Sequence, residues 1–291
     1  MATRRLFCFG LGFSARALAA RLRPAGWRIA GTTRGAEKAA ALRAEGIEAF
    51  AFDRGRPLAD PVAALAGTTH VLSSVPPDEA GDPVMDHHAT DLRACGGLSW
   101  LGYLSTTGVY GDRAGGWVDE DSAFEPTGAR GRRRVDAERA WLDLYREDGL
   151  PVHVFRLAGI YGPGRNALET VRAGRARRID KPGQVFSRIH VADIAAVLEA
   201  SIARPHAGRA YNVCDDHPAP PQEVIAHACA LLGRDPPPLV PFEAAELSPM
   251  GRSFYRDNKR VSNRRIKEEL GVALAYPDYK AGLQALLAAA S

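Results

Sequence analysis

The chain has little of what builds stapled or metal-bound scaffolds. Its four cysteines, Cys8, Cys95, Cys214 and Cys229, are widely spaced and form no Cys-x-x-Cys pair. That excludes a disulfide framework and a cysteine zinc site and points to a reducing compartment. Long apolar runs are also missing. No stretch approaches the ~18–20 residues a membrane span needs, and no apolar segment follows a basic start, so the expectation is a soluble, unprocessed, cytoplasmic protein without a membrane partner. Charge of one sign is scarce too: 38 Lys plus Arg face 34 Asp plus Glu, an excess too mild to specify a partner. The basic run from Arg130 to Arg134 lacks interleaved aromatics and a second basic stretch, so no nucleic-acid module is expected. Asp86-His87-His88 has adjacent histidines that diverge on a helix, without spaced partners. Exposed histidines and no metal are the expectation there.

What is present is a 291-residue chain, 46% hydrophobic, long enough for one two-lobed unit with a buried core. Short β-rich runs alternate with Ala/Leu/Arg stretches of helical period, the sign of βαβ units and a parallel sheet. Strands are expected at Leu6 to Phe9, Trp27 to Thr32, Ile47 to Phe52, His70 to Val75, Trp100 to Leu104 and Val152 to Leu157. Helices are expected near Ser14, after Gly35, near Leu58, at Pro83 to Arg93 and at Arg134 to Arg146. Later come a helix at Val191 to Ala203, a strand at Ala210 to Val213 and a helix at Ser262 to Leu270. The fold class expected is α/β, a Rossmann-type doubly wound parallel sheet with a smaller interleaved C-terminal substrate lobe. Residues 1–165, completed by about 190–215, form the expected dinucleotide domain, and 166–291 mainly the second lobe.

The first strand runs directly into Gly10-Leu11-Gly12-Phe13-Ser14-Ala15. This Gly-x-Gly-x-x-Ala turn, placed between strand and helix, is the dinucleotide fingerprint. Gly10 allows the tight turn, Gly12 lets the backbone approach a pyrophosphate, and Ala15 permits close helix packing. The helix N-terminus then offers N–H groups to the anion. About 20 residues on, an NAD site presents a carboxylate to the ribose 2′-hydroxyl. Here the second strand ends in Thr32-Thr33-Arg34. Arg34 suits a 2′-phosphate and Thr33 a hydrogen bond, so NADP(H) is preferred over NAD(H); a solvated surface arginine is the competing account.

After the strand at Trp100 comes Ser105-Thr106-Thr107-Gly108-Val109-Tyr110-Gly111-Asp112. This run resembles the Ser/Thr-bearing segment of the extended short-chain dehydrogenase/reductases, the group that includes nucleotide-sugar epimerases and dehydratases. Agreement continues at Glu120 and Pro126, at Arg156 with Gly159-Ile160-Tyr161-Gly162-Pro163-Gly164, and at Ile189-His190-Val191-Ala192-Asp193. The resemblance covers nearly the whole chain. It implies Thr106 as the catalytic hydroxyl, although Ser105, Thr106 and Thr107 also suit plain backbone capping. It further implies cofactor contacts from Ser73 and Ser74, and substrate contacts from Thr107, Tyr110, Tyr161, Arg165 and Tyr255. A plain turn at Gly162 to Arg165 and a solvated charged loop around Tyr255 to Arg260 are the competing accounts.

The family assigns proton transfer to a Tyr assisted by a Lys one helical turn later. In Pro126-Thr127-Gly128-Ala129-Arg130-Gly131-Arg132-Arg133-Arg134, Arg130 stands where the Tyr belongs and Arg134 where the Lys belongs. A guanidinium does not exchange protons near neutrality, so the usual acid/base is missing, whereas Arg134 keeps a charge for ribose or phosphate. Tyr255/Lys259 and Tyr276/Lys280 repeat the spacing but follow the wrong part of the chain. The pattern is similar to an atypical, nucleoside-diphosphate-sugar epimerase-like branch. Two functions stay open: an NADP-dependent oxidoreductase or epimerase-like enzyme acting on a carbonyl or hydroxyl of a polar metabolite or nucleotide sugar, and a non-catalytic NADP-binding sensor. With Arg130 in place, an enzyme would draw its proton from water, Tyr110, Tyr161 or the substrate. A homodimer is compatible with either.

Overall fold

The computed structural model describes residues 4–290. Its central element is a seven-stranded sheet. Strands β1 (Arg5–Phe9), β2 (Arg28–Thr33), β3 (Glu48–Ala51), β4 (His70–Ser73) and β5 (Trp100–Thr106) are joined by Val152–Leu157 and Ala210–Val213. Their order is Ala210–Val213, Val152–Leu157, β5, β4, β1, β2, β3. β1 pairs in parallel with both β2 and β4, so the chain reverses its direction of travel across the sheet at β1. In open α/β sheets that switch point leaves a crevice at the carboxyl ends of the strands, where ligands bind.

Two compact units emerge from the contacts. The first comprises residues 4–106, 129–156 and 194–211; the second comprises 107–128, 157–193 and 212–290. In the first, the helices follow the strands as a βαβ pattern dictates: α1 (Phe13–Leu22), α2 (Ala36–Ala44), α3 (Pro61–Leu65), α4 (Pro83–Ala94) and the long α5 (Ala129–Asp148). Continuous apolar strands such as Leu6-Phe7-Cys8-Phe9 are buried along their whole length, as a sheet covered on both faces requires. Phe7, Phe9, Leu101, Tyr103, Trp141, Val152 and Val154 belong to one core. Trp141 of α5 stacks on Tyr103 of β5 with ring centres 5.5 Å apart. Its indole N–H donates to Asp82 Oδ2 at 3.0 Å, while Asp82 Oδ1 caps α4 by accepting from Val84 and Met85 N–H. One carboxylate thus starts one helix and fixes another.

The second unit has its own cores. Leu168, Val171, Ala228, Cys229, Tyr279 and Leu283 form one, and Ile179, Ala245 and Tyr255, with Phe186 and Phe242 packed against them, form another. Short parallel pairs tie it together, Gly159–Tyr161 with Arg188–His190 and Trp117–Val118 with Arg260–Val261.

Two expectations about elements shift. α5 starts at Ala129 rather than near Arg134, because the single Gly131 costs a helix only ~1 kcal/mol and does not end it. The last predicted helix is confined to Arg264–Glu268. By contrast, Val191–Ala203 and Ala210–Val213 form over the expected residues.

Candidate functional site

The Gly10 turn lies at the switch point, at the end of β1 and beside the end of β4. Gly10 has φ +82°, and a Cβ built there would meet Ser74 Oγ at 2.8 Å. Glycine is therefore required by conformation and by space. Ser74 donates to Gly10 O at 2.5 Å, Gly10 N donates to Thr32 Oγ1 at 2.8 Å, and Leu11 N donates to Thr32 O at 2.8 Å. These bonds hold the turn against β2 and β4 before any ligand arrives.

Gly12 follows as the N-cap of α1, and among the described residues no side chain caps that helix. Its first-turn N–H groups, including those of Phe13, Ser14 and Ala15, are left for an anion, as helix geometry provides. A Cβ on Gly12 would have nothing nearer than Ser74 Oγ at 3.9 Å, so the glycine keeps open a space that a side chain would fill. Ala15 is fully buried and lets α1 lie close to the sheet. The turn thus fits the pyrophosphate of a dinucleotide. Ser73 differs from its neighbour: it is fully buried, and its hydroxyl has no hydrogen-bond partner among the described residues.

At the end of β2, Thr33 is buried and Arg34 exposed. The Arg34 side chain has no ion pair or hydrogen bond among the described residues; its carbonyl oxygen accepts from Arg56 Nη2 at 2.6 Å.

The end of β5 divides its hydroxyls. Ser105 is buried and donates to Glu138 Oε1 at 2.5 Å, and strand alternation sends half-buried Thr106 to the opposite face. Glu138, 1% exposed, also accepts from Arg156 Nη2 at 3.0 Å and Nε at 3.1 Å. One turn earlier on α5, Arg134 donates through Nη1 to Leu104 O at 2.7 Å and to the Tyr103 hydroxyl at 3.1 Å. That guanidinium is anchored to the strand end two residues before Thr106. Arg130 is exposed on the first turn of α5, and Arg133 pairs with Glu79 at 3.0 Å.

The residues proposed from sequence for substrate lie in the second unit. Thr107 opens a 3₁₀ turn through Tyr110 and is half-buried. Tyr110 is fully buried, and its hydroxyl donates to Asn212 Oδ1 at 2.7 Å. Tyr161 is buried, its hydroxyl donating to Asp278 O at 3.3 Å; burial and then the nearby Asp215 carboxyl push its phenol well above the usual range. Arg165 is exposed and closes a tight turn by exchanging backbone bonds with Gly162 at 2.9 and 3.1 Å. Tyr255 packs edge-on against Phe186.

Three features escaped the sequence reading. The segment Tyr255 to Arg260 is not a solvated loop: Lys259 is 10% exposed at its side chain and donates to Gly111 O at 2.7 Å, with Asp257 Oδ2 at 3.3 Å. The acceptor is a backbone carbonyl 148 residues away, which the sequence around Lys259 does not announce. His88 is buried rather than exposed. Its Nε2 accepts from Leu58 N at 3.1 Å and its Nδ1 lies 2.8 Å from Asp91 Oδ2, the pattern of a neutral structural histidine. Asp215 is 1% exposed, and burial raises its carboxyl to about 7. Among the described residues no group of His, Cys, Asp and Glu could hold a metal ion, and no helix is long and apolar enough to cross a membrane.

No protein-family model matches the chain. A conserved protein of unknown function from Silicibacter pomeroyi DSS is 53% identical, with TM-score 0.92 over 99% of both chains. A candidate NAD-dependent epimerase/dehydratase from Methylobacillus flagellatus is 26% identical, with TM-score 0.74 over 100% of this chain and 99% of its own. The protein YeeZ of Escherichia coli (strain K12) is 27% identical across 94% of this chain and 97% of that one. At the level of fold alone, the UDP-glucuronic acid 4-epimerase of Bacillus cereus, solved with UDP-glucuronic acid and NAD, superposes with TM-score 0.77 at 14% identity over 99% of this chain and 100% of that one. With the strand order, the glycine turn and the Ser-Thr-Thr-Gly-Val-Tyr-Gly run, these likenesses show a chain with the fold of NAD-dependent epimerase/dehydratase-like proteins and similar in sequence to one of them.

Proposed function

We propose that the protein binds NADP(H) at the β1–α1 turn and is an NADP-dependent oxidoreductase or epimerase-like enzyme acting on a carbonyl or hydroxyl of a polar metabolite or nucleotide sugar. The observation that carries this reading is the preformed cradle: Gly10 fixed by Ser74 and Thr32, open space at Gly12, and an uncapped α1. Arg34, exposed and without a side-chain partner among the described residues where an NAD site needs a carboxylate, supports the phosphorylated cofactor. The likeness to an epimerase solved with a nucleotide sugar supports that substrate class.

A bound nicotinamide dinucleotide would supply hydride transfer. The chain's own part is to hold and orient. Gly12 and the first turn of α1 would receive the pyrophosphate, and Arg34 with Thr33 the 2′-phosphate. Thr106 would hydrogen-bond the reacting oxygen. Arg134 fixes the strand end that carries Thr106 and keeps further N–H groups for ribose or phosphate. For the proton, Tyr161 is a poor donor because its phenol is raised, and Tyr110 spends its hydroxyl on Asn212. Water or the substrate itself is the better source.

A second reading is a non-catalytic NADP-binding sensor, favoured by Arg130 in the place of the family Tyr. Fluorescence titration should show NADPH binding tighter than NADH. Oxidation of NADPH in a screen of nucleotide sugars and small carbonyl compounds then decides between enzyme and sensor: turnover selects the enzyme, and silence beside tight NADPH binding selects the sensor.

A further inference from the structure

The β2 and β3 ends sit side by side: Thr33 is in register with Ala51, and Phe52 N donates to Thr33 O at 3.2 Å. Immediately after β3 the chain makes a tight turn in which Asp53 and Arg56 exchange backbone hydrogen bonds at 3.1 and 3.0 Å, and Gly55 N donates to Asp53 Oδ1 at 3.0 Å. That turn brings Arg56 back over the end of β2. Its Nη2 donates to Arg34 O at 2.6 Å and lies 3.0 Å from Asp53 Oδ2.

The arginine inside this turn, Arg54, is committed elsewhere. Arg54 grips Asp78 through two bonds at 2.8 Å, contacts Asp86, and donates to Gly81 O at 2.9 Å. Among the described residues Arg34 has no side-chain partner, and Arg56 uses one nitrogen of a guanidinium that is 51% exposed. A guanidinium has five N–H donors, so Arg56 retains free ones. Arg56 also lies beside Asp53 and partly neutralises it, a carboxylate that would otherwise repel a dianion at this edge. The second helix contributes in the same sense: α2 starts at Ala36 behind an N-cap glycine that offers no side-chain cap, although Glu37 in its first turn opposes.

We propose that Arg56 is a specificity residue for the cofactor, forming with Arg34 a two-arginine clamp on the 2′-phosphate of NADP(H). This rests on the NADP(H) reading given above. The chemistry favours it because a phosphate monoester is recognised best by planar guanidinium groups donating from two sides, and here the bond from Arg56 Nη2 to Arg34 O ties the two residues together before the ligand arrives.

The test is direct binding by calorimetry or thermal shift, using NADPH, NADH, 2′,5′-ADP and 5′-AMP as probes. Arg56→Gln and Arg34→Gln should each weaken NADPH and 2′,5′-ADP by about tenfold or more, leave NADH and 5′-AMP within about twofold, and leave the melting temperature of the free protein unchanged. If Arg56→Gln leaves NADPH and 2′,5′-ADP unaffected while Arg34→Gln weakens them, the clamp is wrong and the NADP reading stands. If Arg56→Gln weakens all four probes equally, the residue holds the turn and does not read the phosphate. If the unmodified protein binds NADH as tightly as NADPH, the NADP reading itself fails.

Discussion

At the scale of single residues, the two glycines of the turn separate folding from binding. Gly10 is confined by φ +82° and by Ser74 Oγ, whereas Gly12 has ordinary φ and open space around its missing Cβ. Gly10→Ala should therefore lower stability by about 1–2 kcal/mol through backbone strain and weaken NADPH binding as well. Gly12→Ala should leave the melting temperature nearly unchanged and weaken NADPH by about tenfold or more, because the methyl enters the space left for the pyrophosphate. Thermal denaturation and cofactor titration of both variants check this; a Gly12→Ala protein that binds NADPH normally would remove the pyrophosphate from that position. These glycines were legible in the sequence because their task is local, a turn between one strand and one helix. His88 was not. Its burial is decided by Leu58, thirty residues away, whose N–H it accepts, and nothing within Asp86-His87-His88 carries that information.

At the scale of elements, the strands and helices that carry the site were legible where periodicity and turn residues coincide, as at Val191–Ala203 and Ala210–Val213. The contacts between elements were not. Glu138 of α5 binds Ser105 at the end of β5 and Arg156 on the adjacent strand, all three nearly inaccessible. In sequence Glu138 is one more carboxylate in a polar helix whose charged face should be solvated. Its partners come from two other strands, and only packing makes the three converge. The convergence explains why α5 sits where it does: the Ser105 bond to Glu138 and the Arg134 bond to Leu104 O both tie the helix to the end of the strand that carries Thr106, and the ion pair ties it to the adjacent strand. Replacing Glu138 with Gln takes away the carboxylate that pairs with the buried Arg156 and should cost about 3–5 kcal/mol. A double variant, Glu138→Leu with Arg156→Met, should recover part of that loss, since no charge remains buried. Urea denaturation of the single and double variants measures it; a double variant less stable than Glu138→Gln would show that the ion pair itself holds α5.

At the scale of the whole molecule, buried titratable groups set how stability responds to pH, and they act in opposite directions. His70, His153 and His190 are buried, and loss of hydration lowers each to about 4. Between that value and the ordinary 6.5 the unfolded chain binds more protons, so these histidines make stability rise with pH across about 4 to 6.5. Asp215 is the reverse case. Burial lifts its carboxyl from 3.8 to about 7, the folded chain then holds the extra proton, and stability falls as pH rises through that window. The full shift corresponds to at most about 4 kcal/mol above pH 7. Asp215→Asn keeps an oxygen that can accept from His217 N, as Asp215 Oδ1 does at 3.3 Å, while removing the charge. The variant should match the unmodified protein near pH 4, gain on it steadily to pH 7, and hold a constant advantage above that. Melting temperatures from pH 4 to 8 would show the two curves diverging. Parallel curves would mean that Asp215 stays ionised in the folded protein, held by Arg188, the largest attractive charge acting on it.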